Sequence, residues 1–390
     1  MIWEVLGILD LSAFTASAKA VEHGAGGAVK SRRLLLALWC YALTQRILSA
    51  REISRRLMPD STDLAFRWLA GDMYVSHTLL SEFLVDHVDA MQALFTDLLR
   101  ELKHKRLIFL PDHLTAQDGT RVSASAAIAS FRTRDKLDEA RQQAELQLRA
   151  VLARMDEPAL TERQQRARER GAMDVLDRIK EAGEVVRKRQ EQRSNSSNKK
   201  LQTTEPKAST TDPDARIMKM SHGGFEPAYN LQLAVVGSPM GGPATIVGVR
   251  VTNVGADKNS ILPMCEQVEQ RTGHKLDAIL VDSDHLTHEE VRAAHERPLI
   301  VIAPVPKRWE KSESPQDPAV AAWIAQAKTE PMRTAYRARK SLVERANAVL
   351  KDRLGLRLIP VRGQRMALCF CILASVVCNL MQHGLRLLTS

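Results

Sequence analysis

Apolar residues recur at steps of three and four through the first hundred positions, the spacing of helices that bury one face. Residues 32–47 are a strongly apolar helix on this reading. Residues 50–57 are a short one that Ser49 can cap and Pro59 ends, and residues 61–70 a third. A long helix follows from about Ser76, with Leu80, Leu84, Val88, Met91, Phe95, Leu98 and Leu102 on one stripe. Short helices followed by a longer one suit an ordinary bundle or a helix-turn-helix module. The pattern changes at 106–128, where residues 106–110 and 113–117 are short extended runs ending at Asp118 and Gly119. From about 132 to 193 the chain is charged and rich in Gln and Ala. There Leu137, Ala144, Leu148, Val151 and Leu152 fit one helical face, and Val175, Leu176, Ile179 and Val186 fit another. A helical hairpin broken near Asp156 and Pro158 is expected, followed at 194–211 by a polar, flexible linker.

Residues 222–305 change period again. Strands at 228–236 and 244–254 are joined by a loop containing Gly237, Pro239, Gly241, Gly242 and Pro243, which predicts a hairpin. A helix at 259–270, a buried strand at 278–281, a helix at 287–295 and a strand at 298–305 complete the pattern of a mixed sheet covered by helices. Residues 307–330 are a loop with a short helix around Trp309 and Trp323, and 333–354 are a strong helix. Residues 366–381 are apolar except for Ser375 and Asn379. That is short of the roughly 20 residues a spanning helix needs, so a buried final helix is expected and no membrane partner.

Composition adds a partner class. The 56 basic residues exceed the 46 acidic ones, giving a net charge of +10. This favours a polyanion, because each phosphate neutralised by Lys or Arg releases counterions. Arg51, Arg55 and Arg56 are the better DNA-facing candidates among the early helices, because the long helix exposes Glu82, Asp86 and Asp89. Five cysteines in apolar settings argue against a disulfide framework and for a reducing compartment.

Three carboxylates stand out. Asp282 follows a buried strand at its carboxyl end, where open α/β sheets place their sites, and it equally suits capping the next helix. Asp284 lies two residues on and is a rival. Asp118 precedes Gly119, so a hairpin turn and a metal ligand are both open readings. Glu344 shares a helical stripe with Arg337, Lys340, Asn347 and Lys351, either as a solvated ion-pair face or as a ligand whose basic neighbours hold phosphates. Separated carboxylates on such a scaffold can hold two hard cations, one activating an attacking oxygen and one stabilising a leaving oxygen at phosphorus. The sequence has no phosphate-cradling Gly-rich loop, zinc spacing or nucleophile elbow.

Taken together these segments resemble the DDE transposases of bacterial insertion sequences. Gln117-Asp118-Gly119-Thr120-Arg121 is similar to the segment of their first catalytic Asp. Asp212 to Lys219 with Gly224, Phe225 and Tyr229 to Gln232, and then Val251 to Val254 with Asp257, look like the strands that follow. Leu280-Val281-Asp282-Ser283 resembles the strand of the second Asp, and Tyr336 through Glu344 to Lys351 the helix of the catalytic Glu. The early helices, with Ala65 to Leu69, resemble the DNA-binding region.

The resemblance implies a ribonuclease-H-like α/β core, a mixed sheet flanked by helices, with an N-terminal all-helical domain and a helical insertion. The expected division is a DNA-binding domain at 1–105, the first part of the core at 106–134, a charged insertion and linker at 135–210, and the rest of the core at 211–390. It implies that Asp118, Asp282 and Glu344 hold Mg²⁺ or Mn²⁺, two ions in all, and that Tyr336, Arg339 and Lys351 contact DNA ends, with Lys340 an alternative to Arg339; Arg337, on the basic stripe of the same helix, is a further DNA-binding candidate. It also implies double-stranded DNA with terminal inverted repeats as substrate, target DNA as acceptor, a homodimer at work, and a cytoplasmic, nucleoid-associated setting. Where the family has Gly-Tyr after the second Asp, this chain has Asp284-His285. The rival readings are a non-catalytic, transposase-derived DNA-binding protein and a ribonuclease-H-like nuclease of another role.

Overall fold

The computed structural model describes residues 1–15, 30–108, 114–153, 161–195, 199–238, 240–310 and 317–389. In chain order the helices and strands are α1 (Ile2–Ile8), α2 (Arg32–Thr44), α3 (Ala50–Arg56), α4 (Leu64–Ala70), α5 (His77–Asp86), α6 (Val88–His104), β1 (Leu114–Ala124), β2 (Phe131–Arg132), α7 (Arg134–Ala153), α8 (Glu162–Ser194), α9 (Lys199–Thr203), β3 (Ala208–Ser209), β4 (Arg216–Lys219), β5 (Phe225–Gly237) and β6 (Ala244–Thr252). They continue with α10 (Ile261–Thr272), β7 (Ala278–Leu280), α11 (His288–Glu296), β8 (Ile300–Ile302), α12 (Lys307–Glu310), α13 (Pro318–Ala327), α14 (Glu330–Ala348), β9 (Leu358–Ile359) and α15 (Gln364–Thr389). The chain divides into two compact units. One comprises residues 1–122, 230–360 and 365–390; the other comprises residues 123–229 and 361–364.

The first unit carries the sheet. Its strands lie in the order β6-β5-β1-β7-β8, with β9 beside β1. β5 and β6 are antiparallel, whereas β1, β7 and β8 are parallel to one another. This is a mixed sheet flanked by helices, compatible with a ribonuclease-H-like fold. The apolar α15 is the inner helix, with Cys369 to Leu380 buried. It is long and apolar enough to cross a membrane, yet 78% of its most apolar stretch is buried inside the protein. Its polar exceptions have partners. Asn379 accepts from Ile246 N at 2.9 Å and donates to Ile246 O at 2.8 Å, and Gln382 does the same for Ala244 at 2.7 and 3.0 Å. Two amides thus satisfy backbone groups of β6 that no further strand pairs, which keeps that edge from being a buried, unsatisfied one. All five cysteines are buried and free.

The early helices differ from the expected pattern at two places. The stripe from Leu80 to Leu102 belongs to two helices, because His87 leaves helical geometry at φ −123°, ψ 30°. Its buried ring reaches Phe83 O at 2.7 Å and Phe14 O at 3.0 Å, stacks on the Phe14 ring and packs at a tilt against that of Phe83. These tertiary contacts hold the break although the apolar period runs straight through it. The third helix begins at Leu64 rather than residue 61, since the Asp63 carboxylate caps Phe66 N and Gly71 ends it in the left-handed region.

The second unit is the charged insertion. Helices α7 and α8 pair along a narrow seam of Leu137, Ala144, Leu176, Ile179, Ala182 and Val186. The Thr161 hydroxyl caps α8 in a reciprocal arrangement with Gln164. Leu152 and Val175, expected on the inner faces, are exposed, and the expected break at Asp156 and Pro158 lies outside the described residues. Within the stretch expected as a polar, flexible linker, residues 199–203 are helical, and Ala208 and Ser209 pair antiparallel with Arg132 and Phe131. Ser209 and Asp212 are fully buried there. The Ser209 hydroxyl accepts from Thr211 N and Asp212 N, and Asp212 accepts from Tyr229 Oη at 2.8 and 2.9 Å. Polar composition is no sign of disorder when such groups bond one another.

Candidate active site

The register of two parallel strands builds the site. Ala116 on β1 lies opposite Leu280 on β7. Two residues further along come Asp118, still within β1, and Asp282, in extended backbone just past the end of β7, so both carboxylates leave the same side of neighbouring chain segments. β1 runs on through Asp118 and Gly119 to Ala124, so the expected end of the strand and the turn reading at Asp-Gly are both corrected. Gly119 has a packing reason instead: a Cβ there would collide with the Asp257 carboxylate and the Gln232 amide. The extended runs expected at 106–110 and 113–117 fall partly on residues 109–113, outside the described residues.

Helix α14 closes over this pair. Leu342 and Val343 pack against Ala116, Leu280 and Ile302. One turn earlier on that buried face is Arg339. Its Nη2 lies 2.7 Å from Asp118 Oδ1 and 3.6 Å from Asp282 Oδ2. Burial pushes the Asp118 pKa above the ordinary carboxylate value, the Arg339 charge opposes it, and the Asp282 and Asp257 charges add to the rise. Asp282 also accepts from Ser283 N at 2.6 Å, so it caps the short turn after β7 while facing the arginine. Asp284 in that turn is exposed.

The remaining candidates divide by helix face. Tyr336 is partly buried, and burial raises its phenol pKa. Lys351 stands in a π-helical turn over Val349–Arg353, with Nζ donating to Thr120 Oγ1 on β1; burial, then the Arg357 charge, lowers its pKa. Widened turns of this kind are frequent at functional sites. Glu344, Lys340 and Arg337 lie on the outer face. Glu344 is 66% exposed with Lys340 Nζ at 3.8 Å, and Arg337 meets Glu330 at 3.4 Å. The structure therefore brings Asp118, Asp282, Arg339 and Lys351 together and leaves Glu344 turned outward. Among the early arginines, Arg55 and Arg56 are paired with Glu52, and Arg56 also with Asp63, while Arg51 is exposed.

Beneath the aspartates lies a buried polar layer. Asp257 accepts from Asn230 Nδ2 at 2.7 Å and from Gln232 Nε2. Gln117 donates to Ser260 Oγ at 3.0 Å, and that hydroxyl lies 2.9 Å from His285 Nδ1. Burial lowers the His285 pKa. In the sequence Asp257 stands out only as part of the segment resembling the transposase strands; that its charge acts on Asp118 depends on contacts with no local signal in the chain.

No group of three or more His, Cys, Asp or Glu among the described residues is arranged to hold a metal ion. The two aspartates nevertheless fit a hard cation, since one guanidinium nitrogen already lies within 4 Å of an oxygen of each. Glu344, as placed, does not complete the set.

Residues 308–383 match the family model of a transposase DDE domain. No curated protein and no solved structure matches the chain. The matched stretch contains α14 with Tyr336, Arg339 and Glu344, and extends through Lys351 into α15. It supports a DDE transposase and, with it, a DNA-processing enzyme.

Proposed function

We propose that the chain is the DDE transposase of a bacterial insertion sequence, with a ribonuclease-H-like core, acting on the terminal inverted repeats of its element. The observation that carries this reading is the side-by-side pair Asp118 and Asp282 under α14. Asp118 and Asp282 would hold Mg²⁺ or Mn²⁺, with Glu344 joining them for a second ion once its side chain turns inward, and the metal would supply activation of the attacking oxygen and stabilisation of the leaving one. The chain's own residues position the DNA. Lys351, held at β1 by Thr120, and Arg339 offer cations beside the carboxylates, and Tyr336 gives an aromatic edge on the same helix. Arg337, Lys340 and Arg51 add exposed positive charge for backbone contacts. Water attack breaks the phosphorus–O3′ bond at the element end and frees a 3′-hydroxyl. That hydroxyl attacks a target phosphodiester, forming a new phosphorus–O3′ bond as the target's own 3′ oxygen leaves. Two ends handled together call for a homodimer, working on nucleoid DNA in the cytoplasm.

Glu344 favours a second reading, a transposase-derived DNA-binding protein that neither cuts nor joins, because its carboxylate points to solvent beside Lys340. A duplex carrying the repeats that flank the gene, incubated with protein and Mg²⁺, separates the two. Cleavage and joining by the wild type, lost in Asp118→Ala, are expected. Cleavage retained in that variant removes Asp118 from the site, cleavage without joining leaves a nuclease, and binding without cleavage leaves the second reading.

A further inference from the structure

The second unit contains an open cleft of about 610 Å³ between the end of α8 and strands β2 and β4. Arg189, Arg193, Lys207 and Arg216 line it, with Glu205 as its one acidic residue and Phe131 at its wall. The arginines are held in a particular way. Arg189 donates to Lys207 O and Arg193 to Thr204 O, while Arg216 Nη1 donates to Pro213 O, Asp214 O and Ala215 O at 2.9, 2.7 and 3.0 Å. Carbonyls fix a guanidinium without neutralising it. Arg187 on the same helix is different, clamped by Glu184 and Glu191 at 2.7 Å each. None of the four cleft cations is ion-paired with a described residue, and burial lowers the Arg216 pKa to about 10. Three partly buried guanidiniums and one lysine without ion-pair partners are electrostatically costly to hold together until an anion enters the cleft.

We infer that this cleft is a second DNA site, in which Arg189, Arg193, Lys207 and Arg216 bind the phosphodiester backbone of duplex DNA independently of its sequence. The inference rests on the transposase reading for its ligand, since it takes the polyanion to be the DNA being processed, but it uses none of the catalytic residues. Guanidiniums pre-set by carbonyls keep further N–H donors for phosphate oxygens, and orientation fixed in advance reduces the ordering loss on binding. The exposed Lys207 adds a further positive charge to the cleft.

The test is fluorescence anisotropy of the full-length protein with a labelled duplex of arbitrary sequence, without divalent metal, across a salt series. Lys207→Gln and Arg193→Gln should each weaken binding about three- to tenfold and make the salt slope shallower by about one. Arg187→Gln removes the same charge outside the cleft and should change little. Thermal unfolding identifies any variant that has lost its fold. Lys207→Gln guards against that outcome, because only the Lys207 backbone takes part in the Arg189 contact. Equal weakening in Arg187→Gln, or no weakening in folded cleft variants, overturns the proposal. So does a wild type that binds no duplex. Cleavage of the repeat substrate judges the transposase reading separately.

Discussion

Arg339 Nη2 lies 2.7 Å from Asp118 Oδ1 and 3.6 Å from Asp282 Oδ2, so one guanidinium spans two carboxylates that parallel strands bring together. Without it, two anions would face each other across one strand spacing. Arg339→Ala should therefore lower stability by about 1–2 kcal/mol in metal-free buffer, less than a fully buried pair because both carboxylates are partly solvated. Added Mg²⁺ should then raise the variant's Tm more than the wild type's, since the ion replaces the missing cation. An identical Mg²⁺ response in the two proteins would show that the aspartate pair does not hold the metal.

Asp282 and Asp284 are separated by the same two-residue step that made them rivals in sequence, yet only Asp282 reaches the arginine. Asp282→Asn should reduce cleavage by roughly 100-fold or more, the scale of losing one positioned electrostatic group. Asp284→Asn, on an exposed turn, should stay within a few-fold of wild type. The reverse order in single-turnover assays would transfer the ligand role to Asp284.

Glu344 tests the link between exposure and chemistry. Its pairing with Lys340 is solvated and i,i+4, so Glu344→Gln should change stability by less than about 0.5 kcal/mol. Cleavage should nonetheless disappear if the carboxylate turns inward on binding metal and DNA. A variant as stable as wild type and equally active would leave this glutamate as an ordinary surface residue.

Gly119 holds the site from below. A methyl group there meets the Asp257 carboxylate and the Gln232 amide, which are themselves bonded together. Gly119→Ala should cost about 1–3 kcal/mol by overpacking, measured by urea unfolding, and should impair cleavage through displacement of Asp118. Unchanged stability would mean that the polar layer can move aside.

How much of this was legible in the sequence depends on the range of the interaction. The β5–β6 hairpin, the strand ending before Asp282 and the buried α15 are written in local period and composition. The Arg339–Asp118 contact joins residues 221 apart in the chain and leaves no local trace. Asp118-Gly119 misled because the pair is common in turns, whereas here the glycine makes room for a side chain from a distant loop. His87 broke a continuous apolar stripe through contacts with Phe14, which spacing along one helix cannot reveal. Glu344 and Arg339 sit on one helix, but only the packing of Leu342 and Val343 decides which of them faces the sheet.

His383 offers a pH test of the core that is independent of the chemistry. The ring is buried on α15 with Nε2 2.7 Å from Thr245 Oγ1, and burial, with the Arg386 charge, lowers its pKa from 6.5 to about 4. Between those values the unfolded chain binds a proton that the folded chain refuses, so unfolding becomes easier as pH falls through 6.5 towards 4 and the effect vanishes above 6.5. The expected loss is on the order of 3 kcal/mol by pH 4. Carboxylates titrate in the same range, so the comparison is with His383→Gln, which keeps a group able to bond Thr245. Urea unfolding at pH 7.5 and pH 5 should give a smaller stability difference in the variant than in the wild type. Equal differences would mean that the buried imidazole finds a way to be protonated within the fold.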